Sequence, residues 1–357
     1  MTSSVTMTGK EFAALVQGAT KFPSIGLFGG SEMVNFKVGK GFAVCTTLGV
    51  VLARAAVPIQ GDLPLIAVDE RLIVPFASQH AEAVKIVIEA DEKEIRIKAR
   101  GRKIEAPFKE GTEQPFPKLD TQGIKITPML AERVGYLANV AFSDLSRPDL
   151  CCVMVAPDGR AMACNSRAIV VLKCHSGHDR KIAMPLPLAK ALEKGFTIFP
   201  GEKETAIKNG YAKYCMPSPV QALQQFPIAA IDSYSQLESS TVAVFKGMQL
   251  ARAVTEAEAC MGALSRMEMV LKLSLADGRA AMSTENGAAR YQTKMGALKI
   301  TAKELDLNLP MEEMLRISPF LEKEEAVTVL MAKRNGEAFL KFKNGWAMFP
   351  KWGENKK

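Results

Sequence analysis

The stretch "APDGRAMACNS" (residues 156–166) returns, slightly altered, as "LADGRAAMSTEN" (residues 275–286), with Asp158 and Asp277 119 residues apart. Each phrase sets an Asp-Gly turn dipeptide beside alternating residues, the mark of a β-hairpin. One recurrence of this length is weak evidence. The fold is decided by whether the surroundings recur as well.

They recur three times. The segments "TPMLAERVGYLANVAF" from Thr127 and "GMQLARAVTEAEACMGAL" from Gly247 precede the two hairpins, and "TGKEFAALVQGATKF" from Thr8 is their counterpart at the start of the chain. All three space apolar residues as an amphipathic helix does: Phe12, Leu15, Val16 and Ala19; Leu130, Val134, Leu137 and Ala141; Leu250, Val254, Ala257 and Met261. Thr8 and Thr127 are placed to cap their helices, and Pro128 then occupies the first helical position, where a missing N–H costs nothing.

After each hairpin position comes a strand with a proline (Pro75, Pro185, Pro310) leading into a short amphipathic helix. Two alternating runs joined by an Arg-Gly or Asn-Gly turn follow: "EIRIKARGRKIEAPF", "ETAIKNGYAKYCMP" and "VTVLMAKRNGEAFLKFKNGWAMFP". Each copy then reaches Phe-Pro, at Phe116, Phe226 and Phe349. In the first copy "VGKGFAVCTTLGVVLAR" stands in the hairpin's place, and only Gly41 keeps the phase. The spacing predicts an α+β protein of three tandem units, residues 1–121, 122–237 and 238–357, each ordered helix, strands, short helix, strands. The boundaries near Thr121 and Leu237 follow Phe-Pro segments that cannot continue a helix.

Bulk properties bound the function. The chain of 357 residues is 48% hydrophobic and 24% charged, an ordinary globular composition, and has no apolar run of the length a bilayer span needs. Its beginning, "MTSSVTMTGKEF", lacks the basic-then-apolar layout of a secretion signal, so a cytoplasmic location is expected. Seven cysteines, scattered mostly through apolar runs, read as reduced buried thiols rather than a disulfide framework. The net charge of +8 favours a polyanionic partner without naming one.

Three such units, with "IRIKARGRKIEAPFKEGTEQPFPKLD" closing the first and "WAMFPKW" near the end, resemble the bacterial-type DNA polymerase sliding clamp, the β subunit processivity factor. The resemblance implies a homodimeric ring of six domains, helices lining the hole and sheets outside, that encircles double-stranded DNA and tethers the polymerase without catalysing a reaction or using a cofactor. Such a ring needs only phosphate-facing cations and no base readout. It implies DNA contacts for Lys10, Lys21, Lys125, Arg133, Arg147, Lys190, Lys194 and Arg252, although each residue alone is equally a solvated helix-face cation.

The resemblance also implies a pocket between the second and third units that receives short peptide motifs of the polymerase and clamp loader. "LCCV" places Leu150 there, "ACNSRAIV" places Cys164, Ser166, Arg167 and Ile169, and "AMFPKW" places Met348, Phe349, Pro350 and Lys351. The family's second domain typically reads ATDGHRLA where this chain has ACNSRAIV, so an unusual preferred peptide is expected. Taken without the family, Met348 and Phe349 read equally as strand packing. A joint between chains is expected where the edge of "EIRIKARGRKIEA" meets the third unit's sheet after "ACMGALSRMEM".

Other readings are weaker. A clamp-shaped scaffold or decoy that binds proteins without being loaded on DNA is the alternative. "CHSGHDR" (174–180) offers Cys174, His175, His178 and Asp179 as metal ligands, but its spacing matches no paired Cys/His zinc pattern. "GLFGGSE" (26–32) is glycine-rich yet lacks the Lys-Ser/Thr of a phosphate loop. Cys151 and Cys152 lie in an apolar run, where inert thiols are expected rather than a nucleophile.

Overall fold

The computed structural model describes residues 3–22, 33–48, 51–113, 115–119, 122–144, 146–174, 178–261, 269–286, 289–333 and 336–350. One topology is built three times. In the first copy β1 (Ser3–Met7) leads into α1 (Gly9–Ala19), then β2 (Met33–Gly39), β3 (Phe42–Leu48), β4 (Leu52–Pro58) and β5 (Leu63–Asp69). Helix α2 (Glu70–Gln79), β6 (Ile86–Ala90), β7 (Glu94–Ala99), β8 (Arg102–Pro107) and the short β9 (Lys109–Glu110) complete it.

The second copy runs β10 (Ile124–Lys125), α3 (Pro128–Val140), β11 (Cys152–Val155), β12 (Arg160–Cys164), β13 (Ile169–Lys173) and β14 (Ile182–Pro185). It continues through α4 (Leu186–Ala191), β15 (Thr197–Pro200), β16 (Glu204–Asn209) and β17 (Ala212–Pro217). Two linker helices, α5 (Val220–Gln225) and α6 (Ile228–Ser235), precede the third copy. That copy contains β18 (Ser239–Phe245), α7 (Gly247–Met261), β19 (Val270–Ala276), β20 (Arg279–Asn286), β21 (Ala289–Met295), β22 (Ala297–Ile300) and β23 (Glu304–Pro310). It ends with α8 (Met311–Leu321), β24 (Val327–Ala332), β25 (Ala338–Phe342) and β26 (Gly345–Phe349).

Strand order shows the repetition directly. The first meander of each copy is ordered β5-β2-β3-β4, β14-β11-β12-β13 and β23-β19-β20-β21; the second is β1-β6-β7-β8, β10-β15-β16-β17 and β18-β24-β25-β26. Successive copies are welded edge to edge. β4 pairs with β17 over four residues, Leu52 to Ala55 against Cys215 to Ala212, and β13 pairs with β26 over four, Ile169 to Leu172 against Met348 to Gly345. Among the described residues two nine-stranded sheets result, along with two four-stranded sheets that end on β8 and β21. Because these welds cross copies, the chain condenses into two compact units, residues 1–126 with 191–218 and residues 127–190 with 219–357.

The local chemistry follows the sequence closely. Thr8 accepts the Glu11 N–H while the Glu11 carboxylate reaches back to the Thr8 N–H, a complete capping box, and Thr127 caps α3 with Pro128 in its first turn. The diverged first hairpin keeps the geometry of the third: Lys40 and Gly41 have φ of 53° and 79°, Asp277 and Gly278 of 50° and 72°. Two consecutive positive φ values define a type I′ turn. In the second copy Pro157 forbids that turn, and a longer loop closes with Gly159 at φ 82°.

The prolines do not align as the sequence pattern implies. Pro185 and Pro310 end strands just before α4 and α8, but Pro75 lies inside α2, whose cap is Asp69, accepting the Arg71 N–H.

Buried glycines open the first helices of the outer copies. Gly9 donates to the Ala83 carbonyl at 2.7 Å and Gly247 to the Glu324 carbonyl at 3.1 Å, each clasping the turn after the copy's second helix. A Cβ would lie 2.1 Å from the His80 carbonyl oxygen at Gly9 and 2.0 Å from that of Leu321 at Gly247. These contacts are with backbone, which cannot rotate away. We expect Gly9→Ala and Gly247→Ala each to cost about 1–3 kcal/mol in urea unfolding. Gly135→Ala, at a helical site with no atom within 4 Å of the added carbon, should gain up to about 1 kcal/mol.

Candidate functional site

The predicted DNA-contacting cations fall into three groups. Lys10 on α1, Lys190 on α4 and Lys194 in the following turn are exposed, and no carboxylate pairs with them among the described residues. Lys21, Arg147 and Arg252 are ion-paired. Lys21 donates to Glu193 at 2.6 Å and to the Ala191 carbonyl at 3.3 Å, with its ammonium 5.1 Å from the Phe196 ring centre. Arg147 binds Asp149 at 2.9 Å, and Arg252 binds Glu256 one turn along α7 at 2.6 Å. Exposed pairs of this kind contribute about 0–1 kcal/mol, so a phosphate can displace the carboxylate at small cost.

Two residues are placed differently from these. Arg133 is only 7% exposed, with its Nη1 buried and unpartnered, because α3 turns that face inward beside Leu130, Val134 and Leu137. Lys125 pairs with Thr197, which pairs with Lys208, Lys213 and Arg54 in turn, a register that places it on the face of the nine-stranded sheet opposite α1. The first helices are therefore nearly neutral: Lys10 against Glu11 on α1, and Arg252 against Glu256 and Glu258 on α7.

The candidate peptide-binding residues are brought together more completely. Ile169 is the direct cross-strand partner of Met348, with Cys164 on one side and Phe339 on the other. Two apolar clusters meet there. Leu150, Cys164, Val171, Phe226 and Ile231 form one, Phe339, Met348 and Ala332 the other, and half-buried Ile169 and Trp346 touch both. Trp346, two residues before Met348, shares its face and lies outside the set that the family resemblance implies, although strand periodicity from Met348 points to it. Tyr234 and Leu237, from the segment after Pro227, cover part of the seam.

Phe349 does not belong to this face. It is fully buried, and period-two alternation sends it to the side opposite Met348, so it is core and not pocket. Pro350 is half-buried, and Lys351 lies outside the described residues. Ser166 is exposed at the seam's rim, and Arg167 beside it lies 3.8 Å from Glu312. Their loop is set by Asn165, whose Oδ1 accepts the N–H groups of Arg167 and Ala168 at 2.7 and 2.8 Å. Asn165 Nδ2 in turn donates to the Val140 carbonyl and to Glu313 on α8 at 3.0 Å.

Among the described residues no three His, Cys, Asp or Glu side chains gather to hold a metal; His175 and the 26–32 glycine segment lie outside them. Burial pushes the Cys174 thiol up to about 11 and Cys164 to about 12, and it raises Cys152 further still, which disfavours thiolate chemistry. No described helix is long and apolar enough to cross a membrane.

The same architecture recurs in solved structures. A putative DNA polymerase III β subunit from Eubacterium rectale superposes with a TM-score of 0.81 at 11% identity, over 98% of this chain and 99% of the other. A sliding clamp (DNA polymerase III subunit beta) from Pseudomonas aeruginosa, bound to griselimycin, gives 0.79 at 13% identity over 99% and 100%. The Helicobacter pylori beta clamp bound to a DNA ligase peptide gives 0.74 at 12% identity over 98% and 100%. The chain has the DNA sliding-clamp fold. No protein-family model matches it, and no curated protein sequence does.

Within this clamp fold the Asn165–Glu313 contact is testable through pH. Burial raises the Glu313 carboxyl above its ordinary value, outweighing the Asn165 hydrogen bond and Arg316. The native state therefore holds this proton more tightly than the unfolded chain, so the group destabilises the fold above its native pKa and the penalty fades as pH falls toward the ordinary value. Glu313→Gln, which keeps an acceptor for Asn165, should raise the melting temperature at pH 8 relative to the parent. The difference should shrink by pH 5. An advantage for the parent that grows with pH would contradict this account.

Proposed function

We propose that this chain is a DNA sliding clamp: three units, residues 1–121, 122–237 and 238–357, that close with a second copy into a ring around duplex DNA and tether a polymerase. One observation carries the reading. Each internal joint pairs the last strand of one copy's first meander with the last strand of the next copy's second meander, β4 with β17 and β13 with β26. Among the described residues the same rule leaves β21 and β8 as unpaired counterparts. Open strand edges invite pairing, and β21 of one chain with β8 of another repeats the joint head to tail. Six units turning about 60° each close as a two-fold pair. The expected partner strand is thus β21, since β19, which follows Met269, is already paired on both sides.

Retention then depends on linkage rather than grip, which suits the near-neutral first helices. Lys10, Lys21, Lys190, Lys194, Arg147 and Arg252 supply a weak, salt-sensitive attraction to phosphate. That near-neutrality also favours the second reading, a clamp-shaped scaffold that is never loaded on DNA.

The decisive measurement is retention after loading at low salt, on nicked circular and linearised plasmid in about 0.3 M salt, where phosphate contacts are strongly weakened. We expect the protein to stay on circles and leave linear DNA, and to sediment as a dimer of 38.8 kDa chains. Equal, salt-sensitive loss from both DNA forms, or a strict monomer at micromolar concentration, would favour the scaffold.

The Ile169, Met348 and Trp346 seam is the proposed receptor for partner peptides. Met348→Ala should weaken a polymerase-derived peptide by about 1–3 kcal/mol. Phe349→Ala should instead lower stability by about 3–5 kcal/mol, since it empties a core site. Unchanged peptide affinity in a folded Met348→Ala protein would assign the seam to packing alone.

A further inference from the structure

Part of the chain's cationic surplus stands on the face of the nine-stranded sheet opposite α1. On the covered side α1 packs over β3 and β4, with Thr47 donating to the Ala19 carbonyl. On the other side, Arg54, Lys213 and Lys208 stand directly opposite one another on β4, β17 and β16, flanked by Thr46 and Thr197. Directly opposed like charges destabilise a sheet. Among the described residues no carboxylate pairs with any of the three; Lys213 has only the Phe116 ring, 5.9 Å away. Burial and then the charges of Lys208 and Arg54 hold the Lys213 ammonium below its ordinary value.

Adjoining this row, with Arg54 in its lining, lies a groove of about 500 Å³ to which Val44, Ala56 and Leu65 contribute apolar surface and Asn35, Thr46 and Thr112 polar surface. Phe42, 49% exposed, stands at its edge with Lys37 and Lys40. One carboxylate, Glu113, faces Lys37 at 3.7 Å from the segment that bounds the groove. The apolar surface of a groove of this size takes one bulky side chain, and the unpaired cation row takes the negative charges around it.

We propose that this face docks an acidic peptide segment bearing one bulky apolar residue, its carboxylates on Arg54, Lys213 and Lys208 and its apolar side chain in the groove over Val44 and Ala56. The segment runs across the strands, so successive cations meet it at steps of about 4.8 Å. This site is separate from the Ile169, Met348 and Trp346 seam and does not rest on ring closure. A bare phosphate chain would satisfy the cations but leave the apolar surface unused, so a peptide fits both halves where a nucleic acid fits one.

The test uses the full-length protein, no DNA loading, and fluorescence anisotropy with a labelled Asp-rich peptide carrying one Phe. Controls are the same peptide with Ser for Phe and an oligothymidylate of about 15 nucleotides. The Phe peptide should bind, with affinity falling as salt rises from about 50 to about 200 mM. The Ser peptide, and the variants Arg54→Gln and Lys213→Gln, should each bind about tenfold more weakly. Melting separates binding from folding: Lys213→Gln should leave the melting temperature unchanged or raise it, because opposed charges are relieved. Absence of peptide binding, equal affinity for the Ser peptide, indifference to both variants, or tighter binding of oligothymidylate than of the Phe peptide would each overturn the proposal.

Discussion

The joints between the copies of this repeat follow from the need to satisfy strand edges. An exposed edge presents a row of unpaired backbone donors and acceptors. Each copy of the repeat makes two four-stranded meanders, and each meander ends on an open strand. The backbone ladders between Leu52–Ala55 and Ala212–Cys215, and between Ile169–Leu172 and Gly345–Met348, use four of the six terminal strands. The joints therefore define more of the fold than any side-chain cluster does. They also explain why compact units cut across the sequence repeat: the second meander of the middle copy is hydrogen-bonded to the first copy, and its first meander to the third.

What was legible in the sequence is what depends on local geometry. Thr8 and Thr127 announce helix starts because a hydroxyl must meet orphan N–H groups there. Gly41 kept the phase of a diverged hairpin because its turn demands a positive φ, and Lys40 adopts one as Asp277 does. Where several local solutions exist, the sequence does not choose among them. Pro75 looked equivalent to Pro185 and Pro310, yet a capping Asp69 performs their boundary role and frees the proline to sit inside α2.

The site was harder because its residues are assigned by facing, which a linear motif hides. The motif pairs Met348 with Phe349, but adjacent strand residues point to opposite faces, and only Met348 reaches Ile169. Trp346 is hidden in the motif for the same reason. Arg133 was read as a helix-face cation, although it shares α3's buried side with Val134 and Leu137. Asn165 carried no visible signal, since its role, fixing the Ser166–Arg167 loop while bonded to Glu313, arises only when α8 is packed beside it.

Net charge illustrates the limit of composition most clearly. A surplus of +8 invites the inference of a strongly cationic DNA-facing surface, but α1 balances Lys10 with Glu11, and α7 carries two glutamates to one arginine. Part of the surplus stands instead on β4, β16 and β17, on the face opposite α1. A ring that holds DNA by linkage has no need of a sticky lumen, and weak phosphate contact permits sliding where strong contact would arrest it. The distribution of charge is thus compatible with a topological clamp and leaves an electrostatic demand elsewhere on the molecule, where three cations lie side by side with no counter-charge among the described residues.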